Sequence, residues 1–124
     1  MISSSFQVFS PRWGHEDAYS VRLTKSSFEV SLNTKHAKCE FDPSGEVVWT
    51  GHAEGVGNPM LNIMSDDFIY PPMVVPEAIE WLLREYRDGH ISDDDAKVAL
   101  SDLFSWIDET ARAKPTGVWA SYWG

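Results

Sequence analysis

The stretch from Asp66 to Gly89, DDFIYPPMVVPEAIEWLLREYRDG, decides how this chain is divided. Pro76 suits the first turn of a helix, where a missing N–H costs nothing. Ile79, Leu82, Leu83 and Tyr86 then recur at i, i+3, i+4 and i+7, one apolar stripe of an amphipathic helix, with Glu80, Arg84, Arg87 and Asp88 mostly off it. Gly89 is placed to end that helix in the left-handed conformation. Before this stretch the apolar period is two; after it the period is helical. It is therefore the joint at which a sheet hands over to the helices that cover it.

Downstream, Ser92 reads as the cap of a second helix, with Asp95 three residues on and Asp93, Asp94 and Asp95 at the positive end of the helix dipole. Ala96, Leu100, Leu103 and Ile107 form its stripe, with Phe104 beside it, and Lys114-Pro115 stops it near Ala113. The short His90-Ile91 link makes the two helices antiparallel neighbours.

Upstream, the alternation marks half-buried antiparallel strands. Phe6 to Ser10 is one, closed by Pro11, and residues 11–17 read as a turn-rich connection. Tyr19, Val21 and Leu23 share one face of a second strand, and Phe28, Val30 and Leu32 one face of a third, with Lys25-Ser26-Ser27 between them. Ala37, Cys39 and Phe41 oppose His36, Lys38, Glu40 and Asp42. Asp42-Pro43-Ser44-Gly45 then has the residue preferences of a type I turn, and residues 46–50 return as a fifth strand. The expected architecture is α+β: an antiparallel sheet of about five strands with two antiparallel helices packed on one face.

The chain divides into mainly antiparallel strands (1–51), an irregular Pro/Gly-containing connector (52–75), a helical hairpin (76–113) and an aromatic tail (114–124), all in one domain. The connector is long for a structureless loop and rich in apolar residues. It holds either a short helical turn at residues 59–65 or a segment that lines a functional site.

With 43% apolar and 23% charged residues the chain is globular. A net charge of −9 and a pI near 4.7 oppose nucleic acid and anionic membranes, both of which require a cationic footprint. The charge is uneven: residues 1–65 carry seven acids against five bases, whereas residues 66–124 carry twelve against five. One cysteine excludes an internal disulfide, the N-terminus lacks the pattern of a signal peptide, and no apolar run approaches a membrane span. A cytoplasmic protein is expected.

No metal and no cofactor is expected. His36-x-x-Cys39 would place its members on opposite faces of a strand, and neither His52-x-Glu54 nor His15-Glu16-Asp17 has a second pair at ligand spacing. Cys39 lies on the apolar face and reads as a small buried hydrophobe, not a nucleophile. Gly55-Val56-Gly57 lacks the context of a phosphate loop. Asp66-Asp67 reads either as an acid–base pair or as a solvated turn, and Pro71-Pro72 as a rigid connector more than a polyproline ligand.

The remaining candidates are aromatic. Trp13, Trp49, Tyr70, Trp119, Tyr122 and Trp123, with Asp66 and Asp67, are the expected ligand or partner contacts; no catalytic residue is assigned. Together they would make either an interaction surface or an acid-rimmed aromatic pocket for a cationic or hydrophobic ligand. The first expectation is a non-enzymatic acidic protein that binds a basic protein partner or itself as a homo-oligomer. The alternative is a small-molecule binding module, and the third reading is a small hydrolase or isomerase built on His15 or His52 with a neighbouring carboxylate.

In size, acidity and layout the whole chain resembles the small acidic orphan proteins encoded in bacterial mobile gene cassettes of the integron type. It is also similar in size and charge to toxin-immunity proteins. The resemblance lies in this profile and in no motif, so it assigns no residue a role.

Overall fold

The computed structural model describes residues 1–51, 57–64 and 74–113, and every structural statement below concerns those residues. Tyr70, Asp66, Asp67, Trp119, Tyr122 and Trp123, along with His52, Glu54 and the Pro71-Pro72 pair, lie outside them.

Five strands form one antiparallel sheet in chain order: β1 (Ile2–Ser10), β2 (His15–Leu23), β3 (Ser27–Leu32), β4 (Lys35–Phe41) and β5 (Val47–Gly51). Every strand pairs with its sequence neighbour, so only short turns are needed. At one turn the Asp42 carboxylate accepts from the Ser44 amide at 2.9 Å, the Ser44 hydroxyl at 2.6 Å and the Glu46 amide at 3.0 Å. The Ser44 hydroxyl first, and the turn amides after it, hold the Asp42 carboxyl below its usual value. At β5 the sheet needs glycine. Gly51 pairs with Ala37, its φ is +138°, and a Cβ there would lie 2.4 Å from the His36 carbonyl oxygen.

The period-two pattern places Ile2, Val8, Tyr19, Val21, Leu23, Phe28, Val30, Leu32, Ala37 and Cys39 on one buried face. Three helices cover it: α1 (Pro59–Met64), α2 (Val74–Arg87) and α3 (Asp93–Ala113). α3 packs on β1, α2 reaches β3 and neighbours both other helices, and α1 packs on β4 and β5. Phe104 of α3 stacks on Phe6 with ring centroids 4.6 Å apart and planes within 6°, and Tyr19 closes on the same ring at 5.8 Å. Such offset aromatic contacts add to the burial of the rings themselves.

The α+β architecture and the five-strand sheet agree with the reading of the sequence; several boundaries do not. β1 begins at Ile2 instead of Phe6, because Ser3, Ser4 and Ser5 carry little strand preference yet pair in full register with β2. β2 begins at His15, which reduces the 11–17 connection to residues 11–14. The connector holds a third helix at Pro59–Met64, the short helical turn that is one of the two expectations for it, added to the two helices expected downstream and capped where Asn58 accepts the Met60 amide at 2.8 Å. α2 begins at Val74, two residues before Pro76. In α3 it is Phe104 that is buried, while Leu103 is half-buried at the margin of the stripe.

Phe104→Ala removes a ring from the densest contact between helix and sheet and should cost about 3–5 kcal/mol in denaturant unfolding. Leu103→Ala should cost clearly less. Equal losses would place the two side chains incorrectly.

Candidate functional site

Two surfaces concentrate exposed aromatic and charged groups, at different places on the fold. One is the solvent face of the helical hairpin. The turn Arg87-Asp88-Gly89 ends α2, with Gly89 at φ +74° and its amide bonded back to the Tyr86 carbonyl at 3.3 Å. Ser92 caps α3 by accepting the Asp95 amide at 3.1 Å. Between the two helices the Tyr86 hydroxyl donates to Asp93 at 2.7 Å, and Lys25 from the β2–β3 turn donates to the Tyr86 carbonyl at 2.9 Å. The same ammonium lies 3.9 Å from the Tyr86 ring centroid. Sheet, α2 and α3 are thus tied at one point, and α3 leaves from the end of the sheet at which α2 arrives.

That joint directs a row of acids to solvent: Asp93, Asp94 and Asp95 in the first turn of α3, and Asp102 and Glu109 further along it. Glu77 and Glu85 flank Trp81 at i−4 and i+4 on α2, and Trp81 is 57% exposed. Val74, two turns before Trp81, is 46% exposed, and Val98 on α3 is 59% exposed. Trp81 is absent from the residues singled out in the sequence. Its position off the Ile79–Leu82–Leu83–Tyr86 stripe is the signal that marks it as outward-facing.

The second surface is a cleft of about 240 Å³ at the opposite end of the sheet, where the β1–β2 and β3–β4 turns approach each other. Trp13 stands in the first turn, 60% exposed, with its amide bonded to the Ser10 hydroxyl at 3.3 Å. His15 Nδ1 lies 3.2 Å from Asp17 Oδ1. Asn33, with φ +56°, and Thr34 form the two-residue turn between the paired Leu32 and Lys35.

Trp49 is not part of either surface. It sits on β5, at the other edge of the sheet from the strand that leads into Trp13, packs against the core, and donates its indole N–H to Glu80 of α2 at 3.0 Å. The structure therefore does not bring Trp13 and Trp49 together. Cys39 is buried and its thiol is pushed up to about 12, chiefly by burial and then by the charge of Glu80, which removes it as a nucleophile at neutral pH. His36 is exposed on the opposite face of β4 from Cys39. Among the described residues no three His, Cys, Asp or Glu side chains are grouped to hold a metal ion, and no helix is long and apolar enough to cross a membrane.

The sequence matches the integron cassette protein family over residues 2–111. The chain belongs to that family. Among solved structures it is similar to an integron cassette protein from the mobile metagenome of V. cholerae, with 26% identity, a TM-score of 0.78, and coverage of 98% of this chain and 93% of the other. The search of curated proteins found no match. As an integron cassette protein the chain keeps its whole sheet and all three helices within or close to the matched span.

The joint at Tyr86 carries a testable pH dependence. The Tyr86 hydroxyl holds the Asp93 carboxyl below its usual value, and the same bond raises the Tyr86 phenol. A carboxyl depressed in the folded state stabilises above its unfolded pKa, and that contribution fades as pH falls through the folded value. Tyr86→Phe should therefore be less stable than wild type at neutral pH, and the gap should close on acidification below the carboxylate range. A gap independent of pH would mean that the hydroxyl acts on something other than Asp93.

Proposed function

We propose that this integron cassette protein is a non-enzymatic binding protein whose helical face takes a basic, partly apolar segment of another protein. The observation that carries the reading is Trp81, an indole held 57% exposed on α2 between Glu77 and Glu85, with Arg84 at i+3. An exposed Trp is costly for a monomer and is a favoured anchor in interfaces, where a rigid ring supplies large contact area at low entropic cost. Glu77 and Glu85 beside it, and the acids of α3, supply the charge that selects a cationic partner and speeds its encounter. Val74, two turns before it on the same helix, and Val98 on α3 are further exposed apolar side chains of the helical layer.

The residue chemistry also favours binding over catalysis at this face. The carboxylates here are exposed on helices and lack the enclosed, water-excluded setting in which an acid–base pair gains its power. The arrangement suits rim charges around one anchor, the common anatomy of a protein interface.

A Lys- and Leu-containing amphipathic helical peptide is the simplest probe. Isothermal titration at low salt should show binding that weakens as salt rises, because the rim contribution is electrostatic. Trp81→Ala should weaken it at least tenfold, about 1.4 kcal/mol, and Glu77→Gln with Glu85→Gln should flatten the salt dependence. Binding unchanged by Trp81→Ala, or no binding at low salt, would overturn the reading.

A further inference from the structure

We propose that the cleft between the β1–β2 and β3–β4 turns is a binding site for a single pyranose ring, either a free sugar or the terminal unit of a glycan. The helical face and this cleft lie at different places, so the inference stands apart from the protein-binding reading above.

The wall of the cleft is Trp13, whose indole is 60% exposed although its backbone is fixed. Ser10 fixes it twice, its hydroxyl accepting the Trp13 amide at 3.3 Å and its carbonyl accepting the Gly14 amide at 2.8 Å. Ser10 itself is fully buried, so the anchor belongs to the core and not to the surface. A rigid backbone beneath an exposed ring is a platform already organised for a flat partner.

The polar groups opposite the platform are mixed in kind. Asp17 supplies acceptors, Lys35 donors, and Asn33, Thr34 and the His15 ring supply both. One carboxylate and one ammonium balance the lining, which disfavours a strongly charged ligand of either sign. A ring hydroxyl donates and accepts at once, and a pyranose also presents a face of C–H bonds that packs on an indole. It meets both halves of the lining.

Size agrees. At about 240 Å³ the cleft is smaller than the roughly 300–1,000 Å³ of sites that hold drug-sized ligands. It accommodates one ring. His15 and Asp17 come from the start of β2 and Asn33 and Thr34 from the turn after β3, and the pairing of β2 with β3 brings both groups to the same end of the sheet.

The test is a titration of the full chain, ¹⁵N-labelled, with a panel of neutral hexoses and N-acetylhexosamines up to about 50 mM, a range that captures a millimolar Kd. At least one sugar should shift the Trp13 indole N–H together with the Gly14 and Asn33 amides, saturably. Methyl glycosides of that sugar should bind equally if the site takes a terminal glycan unit, and lose binding if it takes only the free sugar. Trp13→Ala and Asp17→Asn should each weaken the response at least tenfold with unchanged circular dichroism. Asp17→Asn guards against a folding defect in the first variant, because it keeps the platform. No saturable shift with any sugar, shifts that survive both variants, or a response to benzoate without one to sugars would overturn the proposal.

Discussion

The structure depends on α3 lying along β1. The helix has 21 residues and the strand 9, which gives both a length of about 30 Å, so the last long element covers the first for its whole extent. Phe104 stacks on Phe6 in the middle of that contact. Further along, Asp108 accepts the Phe9 amide at 2.8 Å, and Arg112 pairs with Asp108 at 2.9 Å and with Glu16 of β2. Arg112 also lies over the Phe9 ring, 5.2 Å from its centroid. An edge strand with open N–H groups is a template for unwanted pairing, and here a helix side chain occupies one of them while the helix body lies alongside.

Because the helices take one face of the sheet, the other is left to water and carries the polar half of each strand. Ser5, Ser20, Ser31 and His36 form one cross-strand row there, and Arg22, Glu29 and Lys38 the next. Lys38 bridges Glu29 at 3.4 Å and Glu40 at 3.6 Å, exposed pairs that contribute little to stability. The helical layer answers a different demand. Its inner stripe is consumed by the core, and the outward residues include most of its acids, the bases Arg87 and Lys97, and Trp81, Val74 and Val98. The protein therefore offers two faces of unlike character, one polar and nearly charge-balanced, one with more acids than bases and an exposed indole.

Much of this was legible in the residues because the burial is one-sided. Tyr19, Val21 and Leu23 alternate, and the pattern can be satisfied only if one sheet face is covered. Asp42-Pro43-Ser44-Gly45 declared its turn through backbone chemistry that does not depend on the rest of the chain. The start of β1 was not legible, since three successive serines have no apolar period and pair only because β2 lies beside them. Choosing between Leu103 and Phe104 required the angle at which α3 crosses the sheet, which periodicity leaves open by one residue. The site was read less well than the fold. Trp13 and Trp49 looked alike in sequence, yet one stands exposed in a turn and the other donates to Glu80 under a helix. Trp81 and the pairing of the two turns around the cleft depend on three-dimensional placement that no local pattern announces.

The most direct measurement on this account is amide hydrogen exchange at Phe9, followed by NMR in wild type and in Asp108→Ala. If α3 seals the edge of β1, the Phe9 amide exchanges slowly in wild type, and the substitution accelerates it while Val21 in the middle of the sheet keeps its protection. A Phe9 amide that exchanges at the rate of an open edge in wild type would contradict the account, because α3 would then not lie where the fold requires it.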